Sequence, residues 1–471
     1  MYKIRFFILS LLVVGLSSCM TYYQRNVDFY RNFETGRFDV AEKVLEKNKK
    51  MAKGKDRLLY FLNFGTVNAL QGEYEMSNEY FEDAYLYGED YVKEPFASIG
   101  QYLLNPTVVP YKGEDFEHLL VNYYKAVNFL KMGDMESALV ECRRMDVRLR
   151  ALSDKYTSDN KFKRDAFIYN LMGIIYEANQ DYNNAFVAYR NAVEIYEEDY
   201  HKFFEMETPR QLKMDLLRMC YKMGFESELL FFQDKFQMTY EPEANEGKGG
   251  ELIFLWHNGL GPLKTEVFIN FGVNHNGGHC YFRNDEMDLF FDFDDGEQNL
   301  TSDQIKALDG LSSISVAFPK YIERPEFFSA ATLICGNDAK DLQLAEDINK
   351  IAFKSLRQRM LLEFGKTLIR VALKETIEKV AEKKDATLGL LVGIFNTVTE
   401  QADTRAWHSI PHGIYYTRMY LPEGQQTVQF VPRAAGGSQT YDFTFNVQKN
   451  KTIFHTFHSL QVDPSFDNPY Y

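Results

Sequence analysis

From Tyr169 to Ala192 the chain reads YNLMGIIYEANQDYNNAFVAYRNA. Apolar residues recur at the three- and four-residue spacing of a helix on both sides of Gln180-Asp181. Gly173 lies on the first predicted helix and Ala185 on the second, and small residues let two helices approach closely. The stretch therefore predicts an antiparallel helical hairpin. We expect its aromatic residue Tyr189 to fill the space towards a neighbouring hairpin.

Two earlier segments repeat this pattern, one with Gly65 followed by Phe81 and the other with Ala126 followed by Cys142 at the aromatic position. Gly72 and Gly133 mark the turns within them, because glycine readily adopts the left-handed conformation that ends a helix. Weaker copies start at Gly36 and Gly224, so the self-similarity extends over most of the first 240 residues. The residues predicted to pack the hairpins are Gly65, Phe81, Ala126, Ala138, Gly173, Ala185 and Tyr189.

This pattern resembles the tetratricopeptide repeat, in which stacked helical hairpins present a concave surface. The resemblance implies a helical domain over residues 19–240 that binds other envelope proteins. The alternative is an array that serves only as a spacer, or as a lid for the second half. The turns are unevenly spaced, which indicates insertions between hairpins.

The amino terminus has the features of a secretion signal. Lys3 and Arg5 precede an apolar run from Phe6 to Gly15, which is too short to cross a bilayer. The following Leu16-Ser-Ser-Cys19 resembles the lipobox of bacterial lipoproteins, which implies removal of residues 1–18 and lipidation of Cys19. Met20 in place of aspartate implies the outer membrane, and the lack of an acidic run implies its periplasmic face. An ordinary secretory signal is the alternative.

The net charge is −14, and loss of Lys3 and Arg5 would make the mature chain two charges more negative. Such a charge argues against nucleic acid and anionic headgroups as partners, which leaves the lipid on Cys19 to bind the membrane. Four further cysteines lie far apart in apolar segments, and either buried thiols or one disulfide fit them. They are Cys142, Cys220, Cys280 and Cys335.

The second half changes character after a predicted linker at 241–250. Residues 251–400 predict an α+β domain whose first strand ends at a turn carrying Asn258, Gly259 and Pro262. Helical spacing from Asp338 to about Lys384 predicts a long helix, either continuous or broken near Gly365. Ala386 to Val398 predicts a buried helix, or one that contacts a membrane or partner. The strands of this domain are predicted at Leu252–Trp256, Val267–Phe271, His279–Phe282, Leu289–Phe293 and Ile314–Phe318.

Residues 401–471 predict a small antiparallel β module with one solvated face. A hairpin is predicted at Leu421-Pro-Glu-Gly424, and this motif resembles the β-sandwich modules named for Pro-Glu-Gly. Before the strands, Asp403 and Arg405 could form an ion pair beside Trp407, which would lock the long helix to the sheet. These residues and Pro411 could instead form a contact site. The predicted strands are Ile414–Leu421, Thr427–Val431, Tyr441–Val447 and Thr452–Leu460.

The whole arrangement resembles a family of Gram-negative envelope lipoproteins without an established activity. The resemblance implies a multidomain α+β fold with helical repeats, a long helix and a β module. We therefore expect a scaffold or adaptor. The alternatives are an enzyme acting on envelope polymers, with a site in the 252–318 sheet, and a purely structural spacer.

Motifs for catalysis or cofactors are weak. Gly365-Lys-Thr367 lacks the earlier glycine of a phosphate-binding loop, and Asp292-Phe-Asp-Asp-Gly296 lacks the spacing of a calcium loop. His275 and His279 beside Cys280 are separated by glycines, which favours a turn over a zinc site. The chain has neither GxSxG nor HExxH. We therefore expect neither cofactor nor metal.

Overall fold

The computed structural model describes residues 20–92, 107, 109–155, 163–243, 246–286, 289–294, 311–360, 367–368, 371–372, 401–433 and 439–461. The protein is a mixed α+β structure, with helices in the first half and three sheets in the second. Cys19 and the predicted signal peptide lie outside the described residues. The apolar segment Ala386–Val398 and the predicted break near Gly365 also lie outside them.

The helices of the first half follow one another as antiparallel pairs, and each pair packs on the next. A 3-10 turn (Lys49–Lys53) and a π-helical turn (Tyr196–Tyr200) interrupt the series. The helices are α1 (Tyr22–Arg25), α2 (Val27–Glu34), α3 (Phe38–Lys47), α4 (Arg57–Gln71), α5 (Tyr74–Val92), α6 (Asp115–Met132), α7 (Met135–Lys155), α8 (Ala166–Ala178), α9 (Tyr182–Ile195), α10 (His201–Phe204), α11 (Arg210–Met223) and α12 (Glu226–Phe236). Residues 348–360 form a further helix, α13, among the strands.

Small residues set the spacing within the hairpins. A Cβ placed on Gly173 would lie 2.5 Å from Cδ1 of Tyr189, and one on Gly65 would lie 2.6 Å from Cε1 of Phe81. Each ring thus lies against the glycine of its own hairpin, whereas the sequence had suggested only the space between hairpins. The remaining small residues, Ala126, Ala138 and Ala185, are fully buried.

Glycines end several helices as predicted. Gly72 follows α4 with φ of 86°, Gly133 follows α6 with φ of 78°, and Gly224 follows α11 with φ of 68°. This left-handed conformation lets the backbone N–H groups bond to the last carbonyls of the helix and turn the chain back. Each of these three tight turns makes the helix that follows it antiparallel to the helix that precedes it.

The strands form three four-stranded sheets. The central sheet has the order β12-β1-β9-β8, the outer sheet β11-β10-β6-β7 and the side sheet β4-β3-β2-β5. The strands are β1 (Gly250–Asn258), β2 (Leu263–Asn276), β3 (His279–Asn284), β4 (Leu289–Asp294), β5 (Ser313–Ile322), β6 (Ala330–Cys335), β7 (Asp338–Asp341), β8 (Gln343–Asp347), β9 (Gly413–Leu421), β10 (Gly424–Arg433), β11 (Tyr441–Val447) and β12 (Thr452–His458).

The central sheet lies between the helices and the outer sheet. On one face Phe254 and Trp256 pack against Phe430 of the outer sheet. On the other face Ile253 and Leu255 belong to the same core as the helices. Because both faces are covered, β1 and β9 are buried along nearly their whole length, as their apolar runs require.

The predicted hairpin at Leu421–Gly424 is wrong. β9 belongs to the central sheet and β10 to the outer sheet, so Pro422 and Glu423 carry the chain between layers. Gly424 has φ of 107°, which suits the sharp change of direction. The solvated face expected of the C-terminal strands is present in β10 and β11 but absent from β9. β12 also runs parallel to β1.

Two further predictions need correction. Residues 338–347, expected to be helical, form β7 and β8 instead. β8 pairs with the edge of β9, so tertiary pairing overrides the local helical spacing. The strands expected as one 252–318 sheet are divided, with β1 in the central sheet and β2 to β5 in the side sheet.

The glycines between His275 and His279 form the predicted turn. β2 and β3 are joined by Gly277-Gly278, both with positive φ, as two-residue hairpins favour. For Asp292–Gly296 the sequence favours a hairpin turn over a calcium loop. Its first three residues belong to β4, and the next two fall outside the described part. The four described cysteines form no disulfide; Cys335 is partly exposed and the others are buried.

Replacing Gly173 tests the hairpin contact. We expect Gly173→Ala to lower the free energy of unfolding by about 1–3 kcal/mol despite its better helix propensity, because the new methyl overlaps Tyr189. Denaturant unfolding measures the change. In the control Gly54→Ala the new Cβ would lie 3.6 Å from the nearest atom, so little change is expected. Equal stability of the two variants would contradict the packing.

Candidate functional site

Residues 402–412, the bridge segment, connect the amino-terminal helices to the central sheet. The Tyr22 N–H donates to Oγ1 of Thr404 at 2.9 Å. At the other end, the Gly261 N–H donates to the Ile410 carbonyl at 2.7 Å. Every residue from 404 to 412 is buried. An extended segment buried in this way must bond its backbone to its surroundings, and here it bonds to both halves of the chain.

Trp407 lies where two helical hairpins meet, and its side chain is 1% exposed. Its indole N–H donates to Oγ1 of Thr66 on α4 at 3.1 Å. Its backbone N–H donates to Oε1 of Glu117 on α6 at 2.7 Å. The ring lies 5.8 Å from Phe81 and 5.6 Å from Tyr124, centroid to centroid. Trp407 thus contributes to the interior.

The predicted ion pair between Asp403 and Arg405 is present. Arg405 donates from Nε and Nη2 to the two carboxylate oxygens at 2.8 and 2.7 Å. Burial opposes ionisation of Asp403, but hydrogen bonds and charge from Arg405 outweigh it and lower the pKa. Arg405 also donates to Asp56 at 3.1 Å and to the Val109 carbonyl at 2.9 Å. The pair therefore holds the amino-terminal helices, whereas the sequence had suggested the long helix. Pro411 is buried at the end of the segment.

A second connection is a buried group of charges around Arg418 of β9. Arg418 lies 2.9 Å from Glu177 of α8, 3.2 Å from Asp215 of α11 and 2.5 Å from Glu251 of β1. Its side chain is 1% exposed. Arg218 lies 2.6 Å from Glu177 and 2.8 Å from Asp215. The charge cluster consists of Glu177, Asp215, Arg218, Lys222, Glu251 and Arg418.

The cluster contains three cations and three carboxylates. Burial alone would raise the pKa of Glu177, but the charges of Arg218 and Arg418 outweigh it and hold the pKa well below its usual range. Tyr189 joins the network, since its hydroxyl donates to Glu177 at 2.9 Å. The ring that packs on Gly173 thus also fixes the carboxylate facing the sheet.

At a third point two carboxyl groups meet, and no ion pair joins either of them to another described residue. Asp165 and Glu346 line a cavity of about 10 Å³, with room for about one water, between α6, α8 and the strand β8. The Tyr200 hydroxyl lies 2.9 Å from Glu346 and 3.4 Å from Asp165. Burial raises the pKa of Asp165 to about 6, and burial and then the charge of Asp165 raise that of Glu346 well above its usual range.

Buried histidines complete the junction. Nε2 of His257 lies 2.6 Å from the Tyr123 hydroxyl of α6, and burial lowers its pKa to about 3. His408 accepts the Lys264 N–H at 3.1 Å through Nε2. Its pKa is lowered first by burial and then by Arg324 and Lys264. The neutral imidazole of His257 thus joins a helix to the central sheet, and that of His408 joins the bridge segment to β2.

The predicted turn residues also support this junction. Nδ2 of Asn258 donates to the Phe328 carbonyl at 2.7 Å. Gly259 has φ of 63°, and a Cβ there would lie 3.0 Å from His412. Pro262 is buried beside them, whereas Gly424 is the first residue of β10 in the outer sheet.

The charged groups that join the two halves of the chain were not among the residues predicted from the sequence. Arg418 was a signal, because it interrupts an apolar strand, and a charge buried there needs a partner. Its partners Glu177 and Asp215 gave no signal, since they occupy ordinary helical positions. Arg324 was likewise missed; it lies 2.6 Å from Glu34 of α2, and both are buried.

Comparisons with known proteins give no match, either to protein-family models or to curated proteins. Across the described residues, no helix combines the length and the apolar character needed to cross a bilayer. The same residues contain no group of three or more His, Cys, Asp or Glu side chains placed to hold a metal ion.

Removing Arg418 tests the charge cluster. We expect Arg418→Met to lower the free energy of unfolding by about 3–5 kcal/mol, because one buried carboxylate loses its compensating charge. The control Arg433→Met removes an arginine that is 66% exposed and 3.9 Å from Asp341, and should cost less than about 1 kcal/mol. Chemical unfolding followed by circular dichroism compares the two. A cost for Arg418→Met no larger than that for Arg433→Met would refute a structural role of the cluster.

The carboxyl pair predicts a pH dependence. The pKa of Asp165 is about 6 in the folded protein, against an ordinary value of 3.8. The folded state therefore binds this proton more tightly, and the resulting stabilisation is complete at low pH and lost as the pH rises through about 6. Between about pH 4 and pH 7 the wild type should lose roughly 2–3 kcal/mol relative to Asp165→Asn.

Asparagine can still cap α8 by accepting the Ile168 N–H, as Asp165 does at 2.8 Å. The control is Asp181→Asn, since Asp181 caps α9 at a solvent-accessible position. Stability curves of wild type and Asp165→Asn that stay parallel over this pH range would show that the carboxyl is not perturbed.

Proposed function

We propose that this protein is a lipid-anchored periplasmic protein of the outer membrane and acts as a scaffold or adaptor for other envelope proteins. The apolar run before Leu16-Ser-Ser-Cys19 supports the anchor. The folded body begins directly afterwards, because Tyr22 is 1% exposed and starts α1.

The helical hairpins are in this proposal of the tetratricopeptide type. Support comes from the contacts of Gly65 with Phe81 and of Gly173 with Tyr189, which follow the spacing of that motif. The bridge segment carries Asp403, Arg405 and Trp407, and this motif is compatible with the envelope lipoprotein family that the sequence resembles. Repeats of this type most often bind peptides or proteins.

The partner would bind on a surface that the chain itself leaves open. One side of the helical series faces the central sheet. β9 and the bridge segment cover that side. At the end of the helical series, however, α12 buries only Phe232. Leu230 is 67% exposed and Phe231 60%, with Tyr221 of α11 at 54%. The end of an array normally carries a polar face, so this apolar end is the observation that carries the proposal.

In-cell photo-crosslinking tests the adaptor role. A photoreactive residue at position 230 should give a discrete adduct in the membrane fraction, and Phe231→Glu should abolish it, because a carboxylate cannot enter an apolar contact. Position 147 is the matched control, since Val147 on α7 is also 67% exposed. Adducts at 147 as abundant as those at 230 would indicate random collision and contradict a docking end.

The same cells test the anchor. With Cys19→Ser, we expect the adduct to leave the membrane fraction, or the chain to remain uncleaved, because no lipid can be attached. Full processing with unchanged membrane partition would contradict the anchor while leaving the adaptor result intact.

A further inference from the structure

The proposed anchor point is joined to the folded body almost without a spacer. Only Met20 and Thr21 separate Cys19 from the buried Tyr22. Three residue steps span at most about 11 Å of extended chain. Thr21 is itself fixed, because it caps α1 with reciprocal side-chain hydrogen bonds to Gln24. A lipid on Cys19 would therefore hold the adjoining protein surface against the bilayer.

A cluster of basic residues adjoins this point. Nζ of Lys55 donates to the Thr107 carbonyl at 2.6 Å. Thr107 in turn lines a small depression together with Met20 and Arg25. Asp56, next to Lys55, lies 3.1 Å from Arg405 of the bridge segment. The segment 47–57 is thereby fastened beside the start of the mature chain.

The charge of this segment is opposite to that of the protein. Residues 47–57 contain six lysines and arginines and one acid, in a chain of net charge −14. Lys49, Lys50 and Lys53 lie in the 3-10 turn and are exposed. Among the described residues, no acid is ion-paired with these three lysines. Their charge is thus directed to solvent or to a partner.

Two exposed apolar side chains lie in this region, Met20 in the lining of the depression and Phe268 two residues beyond its lining residue Glu266. Met20 is 44% exposed and Phe268 60%. Glu266 lines the depression and accepts the Ala402 N–H at 3.2 Å. Phe268 follows on the same face of β2, about 7 Å further along the strand. Basic and apolar groups therefore flank the anchor, which is the combination that peripheral membrane surfaces use.

We propose that the anchor face, made of residues 47–57 with Met20 and Phe268, lies on the bilayer and binds anionic phospholipid headgroups. The proposal rests on the proposed lipidation of Cys19. Lysines near an anionic surface each add attraction that falls off within a Debye length, while Met20 and Phe268 enter the boundary between headgroups and acyl chains. The overall negative charge, which argued against anionic headgroups, is thus locally reversed at the anchor. The same contacts fix the orientation of the body on the membrane.

Lysine labelling on vesicles tests the proposal. The full chain, processed in cells and purified in detergent, is placed in vesicles of phosphatidylcholine alone or of phosphatidylcholine and phosphatidylglycerol in equal parts. Lys47 and Lys55 are then labelled with a water-soluble acylating reagent and quantified by mass spectrometry. We expect several-fold slower labelling on the anionic vesicles than on the neutral ones, and loss of the difference at high salt.

Two triple variants with the same change of charge serve as comparison. Lys49→Glu with Lys50→Glu and Lys53→Glu should bring labelling of Lys47 and Lys55 to the same rate in both vesicles. The second variant combines Lys248→Glu, Lys449→Glu and Lys451→Glu. These exposed lysines lie near Gly250, at the start of β1, and their replacement should preserve the slower labelling on anionic vesicles. Slowing that survives in the first triple variant would overturn the assignment of the face.

The same mass spectra separate this inference from the proposed function. The amino-terminal peptide shows whether Cys19 carries lipid. A lipidated Cys19 with equal labelling in both vesicles refutes the anchor face alone. Labelling that is slower than in detergent, but equally slow on neutral and anionic vesicles, would mean that the lipid tether shields the lysines. Headgroup charge would then have no part, and this outcome also refutes the anchor face. An amino-terminal peptide without lipid removes the anchor and the face together.

Discussion

Charges buried between helices and sheet constrain the whole molecule. An arginine such as Arg418 is tolerated in the interior only if carboxylates meet it at bonding distance, and Glu177 and Asp215 do so from two different helices. Arg324 with Glu34, and Lys264 with Glu114, repeat the arrangement at other points of the boundary. Sliding the helices along the sheet would separate several pairs at once. The two halves of the chain therefore have one relative position.

The local features of the fold were predictable from the sequence because they depend on nearby residues. Gly72 and Gly133 mark helix ends through a backbone conformation that glycine adopts at little cost, and Gly173 marks a close approach. The pairing of distant strands was not predictable in this way. Pro422 and Glu423 have the composition of a hairpin turn, yet the strands on either side find partners in different sheets. Residues 338–347 have helical spacing, but the free edge of β9 draws them into a strand.

The contacts of the bridge segment likewise include some that could be predicted from the sequence and others that could not. Asp403 and Arg405 could be paired from the sequence, since side chains two residues apart in an extended segment share a face. Their attachment to Asp56 and the surroundings of Trp407 could not, because those contacts join residues about 300 positions apart. Since Trp407 and β9 lie on the inner side of the helices, the helical surface that stays open to solvent lies on the outer side. There the closing helix exposes Leu230 and Phe231, and residues 47–57 carry a local excess of positive charge.

The parallel pairing of β1 with β12 has a consequence for how the chain matures. Glu251 of β1 pairs with Thr452 of β12, so the central sheet closes between residues about 200 positions apart. Contacts of such long range form slowly, because a large loop must be ordered before they are made. The helices can pair as soon as their own residues have been synthesised, but the edge of β1 that β12 covers stays unpaired until the last strand arrives. During that interval the unpaired edge of β1 is open to aggregation. Premature termination a few residues before β12 would therefore leave a buried strand of the central sheet with one unpaired edge.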